Sequence, residues 1–179
     1  MEQKCLFCGI ASGKVPAKII YDSPDVMAFL DIRPANPGHV LVIPKKHVET
    51  LPDLPDDLNA SLLQVVKIIA QAQVEAIGAQ GVNVLQNNGE LAGQAVPHVH
   101  VHVIPRFKGD KVVINYSGLV ELKEEQFEEI QKRLISKAKE LASSMSTGTI
   151  KEIKEEKLPE PEPEQKGKKK LHKFKQRLP

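Results

Sequence analysis

The chain has 179 residues, 41% apolar and 27% charged, ordinary values for a soluble globular domain with a modest appendage. Two cysteines exclude a disulfide-rich scaffold, and 4% aromatic residues with no tryptophan disfavour a base-stacking platform for single-stranded nucleic acid. The net charge of +2 hides an asymmetry: residues 1–150 carry 15 basic and 17 acidic side chains, residues 151–179 carry 10 and 6, so the positive excess belongs to the C-terminal segment.

In chain order, the first seven residues, MEQKCLF, contain no apolar signal-peptide core, and no apolar run approaches the ~18 residues of a membrane span. Residues 18–22 (KIIYD) and 26–30 (VMAFL) are β-prone, and Ser23, Pro24 and Asp25 between them are turn residues, which predicts a hairpin. Residues 31–39 hold Pro34, Asn36, Pro37 and Gly38 and predict a loop. A third strand follows at 39–43, closed by Pro44.

A long helix is expected over 58–77. Leu58, Leu62, Val65, Val66, Ile69, Ala72 and Ala76 recur at spacings of three and four, and Asp56, Asp57 and Gly78 mark its ends. Strands are expected at 82–86 and 98–104, with a loop around Asn87, Asn88, Gly89 and Gly93 between them. A second helix is expected over 122–141. From about 143 the composition shifts to small polar residues, then to the PEPEPE run, then to seven Lys/Arg within 166–177. These shifts predict a domain at 1–142 and a disordered tail at 143–179. The tail reads either as a solubilising appendage or as an electrostatic contact for nucleic acid or an acidic protein.

The most informative stretch is GQAVPHVHVHVI at 93–104. Alternate side chains share one face of a strand, so His98, His100 and His102 lie opposite Val99, Val101 and Val103. The valines make a core face. Neighbouring histidines on such a face are ~6–7 Å apart, so three in a row converge poorly on one ion whose bonds are ~2 Å. The three histidines therefore need different partners.

Cys5 and Cys8 form a CxxC, half of a zinc site, and His47 and His98 are the best candidates to complete it. A pair of reduced thiols and a redox pair are the other readings of the same motif. The loop Asn87-Asn88-Gly89, with Gly93-Gln94, combines neutral donors with close backbone approach and reads as one wall of a phosphate pocket. It is also plain turn chemistry.

Together these motifs resemble the histidine-triad (HIT) nucleotide hydrolases and transferases. The likeness spans residues 5–110 and includes CLFCGI, AFLDIRPANPGHVLVIPKKHV, NNGELAGQAVPHVHVHVIP and RFKGD. It implies an α+β fold, an antiparallel five-stranded sheet flanked by helices, assembled as a homodimer. It implies His100 as nucleophile on the α-phosphate of an adenine nucleotide, forming a covalent nucleotidyl-histidine that water releases as the monophosphate. His102 and His39, with Asn87 and Gln94, would hold phosphate oxygens. Asp31 would accept from ribose hydroxyls, and Leu6, Phe7, Ile10, Phe29 and Ile32 would form the base-binding wall. Cys5, Cys8, His47 and His98 would hold a structural zinc, with no metal required for the chemistry.

His102 argues against the uridylyltransferase branch, which carries Gln there. The remaining substrates are dinucleoside polyphosphates and adenosine 5′-phosphoramidates, and the VIPRFKGD ending resembles the dinucleoside polyphosphate side and small prokaryotic members. Ala95 departs from the Ser or Thr that many members carry, which puts leaving-group assistance in doubt. The alternative function is a nucleotide-binding regulatory or adaptor module docked through its basic tail. Two cysteines and the lack of a targeting segment predict a cytoplasmic location without membrane contact.

Overall fold

Five short strands form one sheet in the order β1-β2-β3-β5-β4, every neighbouring pair antiparallel. The strands are β1 (Ile19–Asp22), β2 (Val26–Leu30), β3 (Val40–Pro44), β4 (Gly81–Gln86) and β5 (Val101–Arg106). Helix α1 (Leu6–Ala11) precedes β1, and α2 (Asp56–Ile77) connects β3 to β4, with short 3-10 turns at Leu51–Asp53 and Glu90–Ala92. The structure, a computed structural model, describes residues 5–114 and 122–144, and the chain divides into two units, Met1–Tyr116 and Ser117–Pro179. The sheet and its helices lie in the first unit and form the expected α+β architecture.

Both faces of the sheet are covered at its centre, which is why β3 is buried at every position. Val40 and Val42 pack with Val26, Ala28, Val99, Val101 and Val103 against Leu58, Leu62, Val65, Val66 and Ile69 of α2. Leu41 and Ile43 point the other way and pack with Met27 and Phe29 against Phe7 and Ile10 of α1. Burying each such side chain stabilises the fold by roughly 1.5–3 kcal/mol. The expected β1–β2 hairpin is present, with a register shift between Ile19 and Tyr21 and a turn closed by Ser23.

Helix α2 starts two residues before the expected position and ends at Gly78, whose φ of 68° is left-handed. By length and composition α2 would suffice to cross a membrane, but one of its faces is the stripe packed on the sheet. Ala72 and Ala76, expected in that stripe, are exposed, and Gln73 takes the core position. Its amide donates to the Gly38 carbonyl at 2.9 Å and the Val103 carbonyl at 2.8 Å. A polar side chain suits this place because buried carbonyls need donors.

The strand expected at 98–104 is displaced toward the C-terminus. Val99 continues the core alternation, but its N–H donates to the Val48 carbonyl at 2.7 Å, and regular pairing begins only at Val101. At the other end the strand passes through Pro105. The Arg106 carbonyl accepts from Gln80 on the β4 side, so Pro105 faces the side where pairing with β3 has ended, and its missing N–H disrupts no ladder bond.

In the second unit, α3 spans Glu124–Ser144, close to the expected helix. Its first turn carries Glu124 and Glu125, favourable at a helix N-terminus. Phe127, Ile130, Leu134 and Leu141 on this helix are exposed. The acidic and basic stretches expected from 145 onward lie outside the described residues.

Candidate active site and metal centre

The three triad histidines have three different sets of partners. His98 is fully buried, and its Nε2 lies 2.8 Å from the carbonyl of Pro44, the last residue of β3. A carbonyl can only accept, so Nε2 carries the proton and Nδ1 is left with a free lone pair. Burial is the main cause that pushes the His98 pKa down, and it keeps the ring neutral.

That bare Nδ1 faces Cys5 Sγ at 3.4 Å, Cys8 Sγ at 3.6 Å and His47 Nδ1 at 3.3 Å, and Cys8 Sγ lies 3.3 Å from His47 Nδ1. All four donor atoms lie within 4.8 Å of one another. Zinc bonds of ~2.0–2.1 Å to nitrogen and ~2.3 Å to sulfur set tetrahedral edges of roughly 3.3 Å for N···N and roughly 3.6 Å for N···S. The observed separations match those edges, so the four residues named from the sequence fit one zinc ion. Cys5 sits at the start of α1 and Cys8 one turn into it, which aims both sulfurs at the loop after β3 that holds His47. Without a metal, burial and the adjacent Cys5 raise the Cys8 thiol pKa.

His100, 4% exposed, places Nδ1 at 2.7 Å from the His98 carbonyl. Its Nδ1–H therefore donates, and Nε2 keeps a lone pair with no hydrogen bond among the described residues. Phe7 meets the His100 ring edge-on at 5.1 Å between centroids and the His98 ring at 5.8 Å. One aromatic side chain thus packs against both.

His102 Nδ1 lies 3.0 Å from His39 Nε2. His39 in turn accepts the Ala35 N–H at Nδ1, at 3.2 Å. That bond fixes the tautomers in sequence: His39 is protonated at Nε2, donates to His102 Nδ1, and leaves the His102 proton on Nε2. Burial lowers the pKa of both rings, that of His102 to about 4 with help from His100 and His39. The 3.5 Å approach of Asp31 to His39 Nδ1 has the distance of an ion pair. We read it as a contact with a neutral ring, because burial outweighs the pull of Asp31 and Nδ1 is already an acceptor. Asp31 also accepts the Arg33 N–H at 2.8 Å.

The structure sorts the remaining expected residues. Phe7, Ile10 and Phe29 are core side chains, whereas Leu6 is 46% and Ile32 86% exposed, so only the last two present free apolar surface. Among the described residues the Asn87 side chain makes one long bond, to the Gly93 carbonyl at 3.5 Å. Gln94, expected to hold a phosphate oxygen, braces its loop in this structure. Its amide donates to the Glu49 carbonyl at 2.7 Å and the Val96 carbonyl at 3.1 Å, and its oxygen accepts the Gly89 N–H at 2.7 Å. Both amide hydrogens are thereby used within the protein. His39, expected at phosphate, likewise has both ring nitrogens engaged by protein groups.

Sequence reading missed a polar cluster behind the histidines. Arg106 grips Asp110 through Nε at 2.8 Å and Nη2 at 2.7 Å, and Asn36 donates to the same carboxylate at 2.9 Å. The Arg106 fork is the main cause that holds the Asp110 pKa well below the usual carboxylate range. The only sequence signal was the Arg-to-Asp spacing of four within RFKGD.

Known proteins resemble this chain in sequence and fold. The HIT domain matches residues 12–109. An uncharacterized HIT-like protein of Methanocaldococcus jannaschii is 42% identical over 130 residues, which cover 73% of this chain and 98% of that protein. An adenosine 5′-monophosphoramidase of Schizosaccharomyces pombe is 44% identical over 102 residues, 57% of this chain and 74% of that protein. Among solved structures, a Zn-bound histidine triad family protein from Mycobacterium smegmatis matches with a TM-score of 0.60 at 43% identity, covering 63% of this chain and 81% of that one. With the domain matched over more than half of its length and a relative aligned almost end to end, the chain belongs to the HIT family.

Proposed function

We propose that this protein hydrolyses adenosine 5′-phosphoramidates, with His100 as the nucleophile. The observation that carries the reading is the 2.7 Å bond from His100 Nδ1 to the His98 carbonyl, because it leaves Nε2 as the reactive nitrogen. Nε2 attacks the α-phosphorus, the N–P bond to the ring forms, and the P–N bond to the amine breaks. The amine leaves with that electron pair and takes a proton from solvent. The His98 carbonyl stabilises the positive charge that develops on the ring, and His102 Nε2–H donates to a non-bridging oxygen. Water then attacks phosphorus and releases its proton to solvent. The ring–phosphorus bond breaks, its pair returns to Nε2, and AMP leaves.

The related Schizosaccharomyces pombe protein is named an adenosine 5′-monophosphoramidase, which favours an amine over a polyphosphate leaving group. Zinc held by Cys5, Cys8, His47 and His98 has a structural role in this reading, since four protein donors leave no open position. The exposed apolar residues Leu63, Val74 and Ile77 of α2 and Val84 of the edge strand β4 supply a surface for a homodimer. Reduced thiols at the zinc ligands suit a cytoplasmic setting.

The test is intact-protein mass spectrometry after mixing with adenosine 5′-phosphoramidate and quenching in alkali. Wild type gains the mass of AMP and His100→Ala does not. An equal adduct on both, or turnover by His100→Ala, would reject His100 as nucleophile. Nucleotide binding with neither adduct nor AMP release would support the adaptor reading.

A further inference from the structure

We propose that Asn36 is a positioning residue that sets the His39–His102 hydrogen bond, acting through a clamp made with Arg106 and Asp110. The proposal rests on the reading of His102 as the phosphate-facing partner of His100. Asn36 lies in the loop between β2 and β3, and its backbone carbonyl accepts the His39 N–H at 3.0 Å. Its side-chain amide donates to the Pro105 carbonyl at 2.9 Å and to Asp110 Oδ2 at 2.9 Å. Pro105 stands three residues beyond His102 on β5. One residue thus ties the loop that delivers His39 to the strand that delivers His102.

The far side of the clamp is rigid. The Arg106 guanidinium holds Asp110 with two nitrogens, and its remaining contacts go to Asn83 Oδ1 on β4 at 2.6 Å and to the Val112 carbonyl at 2.8 Å. Asp110 also accepts the N–H groups of Phe107 at 2.9 Å and Val112 at 3.1 Å. Its side chain is 7% exposed, so the Asn36 amide meets a carboxylate that is anchored and nearly dry. The loop needs this tether because β3–β5 pairing stops at Val40 opposite Val103. Beyond that point no ladder bond fixes residues 31–39 to β5. Besides the His39–His102 bond itself, the Asn36 amide and the Gln73 amide, which joins Gly38 to Val103, bridge the gap by hydrogen bonds.

Asn36 hydrogen-bonds neither the His100 ring nor the His102 ring, so its effect is expected on orientation and not on binding. The experiment compares the full-length wild type with Asn36→Ala and Asn36→Asp, using two readouts. Long-range proton–nitrogen NMR of the free proteins reports ring tautomers without any substrate. Wild type is expected to show His39 and His102 each protonated at Nε2. Asn36→Ala is expected to keep His39 protonated at Nε2, because the Ala35 N–H still holds its Nδ1, and to show mixed tautomers for His102, with His98 and His100 unchanged. Steady-state turnover of adenosine 5′-phosphoramidate is expected to lose roughly 10- to 100-fold in kcat with KM within about twofold, the scale of a small misplacement. Asn36→Asp should lose more, since it sets a second carboxylate against Asp110.

Unchanged His102 signals in folded Asn36→Ala would overturn the proposal, as would a change spread over all the histidines. Where the alanine variant does not fold, Asn36→Ser gives the same test, because its shorter side chain cannot span both Pro105 and Asp110. A tautomer change confined to His102, in a protein whose wild type turns over no phosphoramidate, would uphold the clamp and reject the hydrolase reading.

Discussion

His100 Nδ1 lies 2.7 Å from the carbonyl oxygen of His98, two residues earlier in the chain. The bond is local, so the tautomer of the proposed nucleophile is set by its own segment and needs no distant partner. His98 is itself fixed through Pro44, which makes the carbonyl a rigid acceptor. Removing the His100 ring should therefore remove the reaction and leave the scaffold in place. His100→Gly is expected to lower kcat/KM by about 10⁴-fold or more, the scale seen when a covalent nucleophile is deleted. Added imidazole should restore part of the turnover. A variant whose rate is insensitive to imidazole and close to wild type would contradict nucleophilic catalysis.

The His39–His102 pair predicts a pH dependence of stability. The groups facing His102 are His100, His39 and Asp31, and burial with the two neighbouring rings lowers it to about 4, below its usual 6.5. A histidine with a depressed folded pKa binds fewer protons folded than unfolded between those values. Stability should therefore fall as pH drops from about 6.5 toward 4, with no contribution from this ring above 6.5. Thermal midpoints measured across that range should decline more steeply for wild type than for His102→Gln. Parallel slopes in the two proteins would show that His102 is not buried neutral.

Much of this site is legible from residue order, and the failures have physical causes. The alternation of His98, His100 and His102 against three valines yields the correct faces, because side-chain direction depends only on local strand geometry. It does not yield the strand's start, since pairing depends on where β3 ends and on the Val48 carbonyl taking the Val99 N–H. The Cys5–Cys8 spacing suggests a metal pair, and only the fold can bring His47 and His98 within reach. Gln94 reads as a phosphate donor because its type fits, whereas its contacts with Gly89, Glu49 and Val96 depend on how the loops fold and leave no sequence signal. Asn36, Arg106 and Asp110 leave almost no signal, since their partnership joins residues about 70 positions apart.

Gln73 is a polar residue at a core position of α2, and its removal should cost more than its small apolar surface would suggest. Gln73→Leu keeps the volume but leaves the Gly38 and Val103 carbonyls without their donors. Each buried group left unsatisfied costs about 1–3 kcal/mol, whereas removal of Oε1, which has no partner among the described residues, offsets part of that. The net expectation is a loss of roughly 2–4 kcal/mol, or about 4–16 °C in Tm for a protein of this size. Gln73→Leu should also loosen Gly38, the residue before His39, so kcat should fall in the fraction that remains folded. A Leu variant as stable and active as wild type would show that water replaces the amide.

Zinc removal should separate stability from chemistry. The four donors lie where a tetrahedral ion would hold them, and the His98 Nε2 bond to Pro44 provides the outer contact that fixes a metal-bound ring. The ion would pin α1 to the loop after β3 and to the segment leading into His100. The purified protein is therefore expected to contain one zinc per chain by elemental analysis, and cobalt substitution should give the absorption of a tetrahedral two-sulfur, two-nitrogen site. Cys8→Ala should lose the metal. The domain keeps its own core, so the cost should be several kcal/mol, less than the ~10–16 kcal/mol found for zinc-finger peptides. That corresponds to about 10 °C or more in Tm. At a temperature where Cys8→Ala stays folded, kcat should remain within a few-fold of wild type, because no step of the proposed reaction uses the metal. Chelation that abolishes turnover while leaving Tm unchanged would reverse this assignment and give the ion a direct role in the reaction.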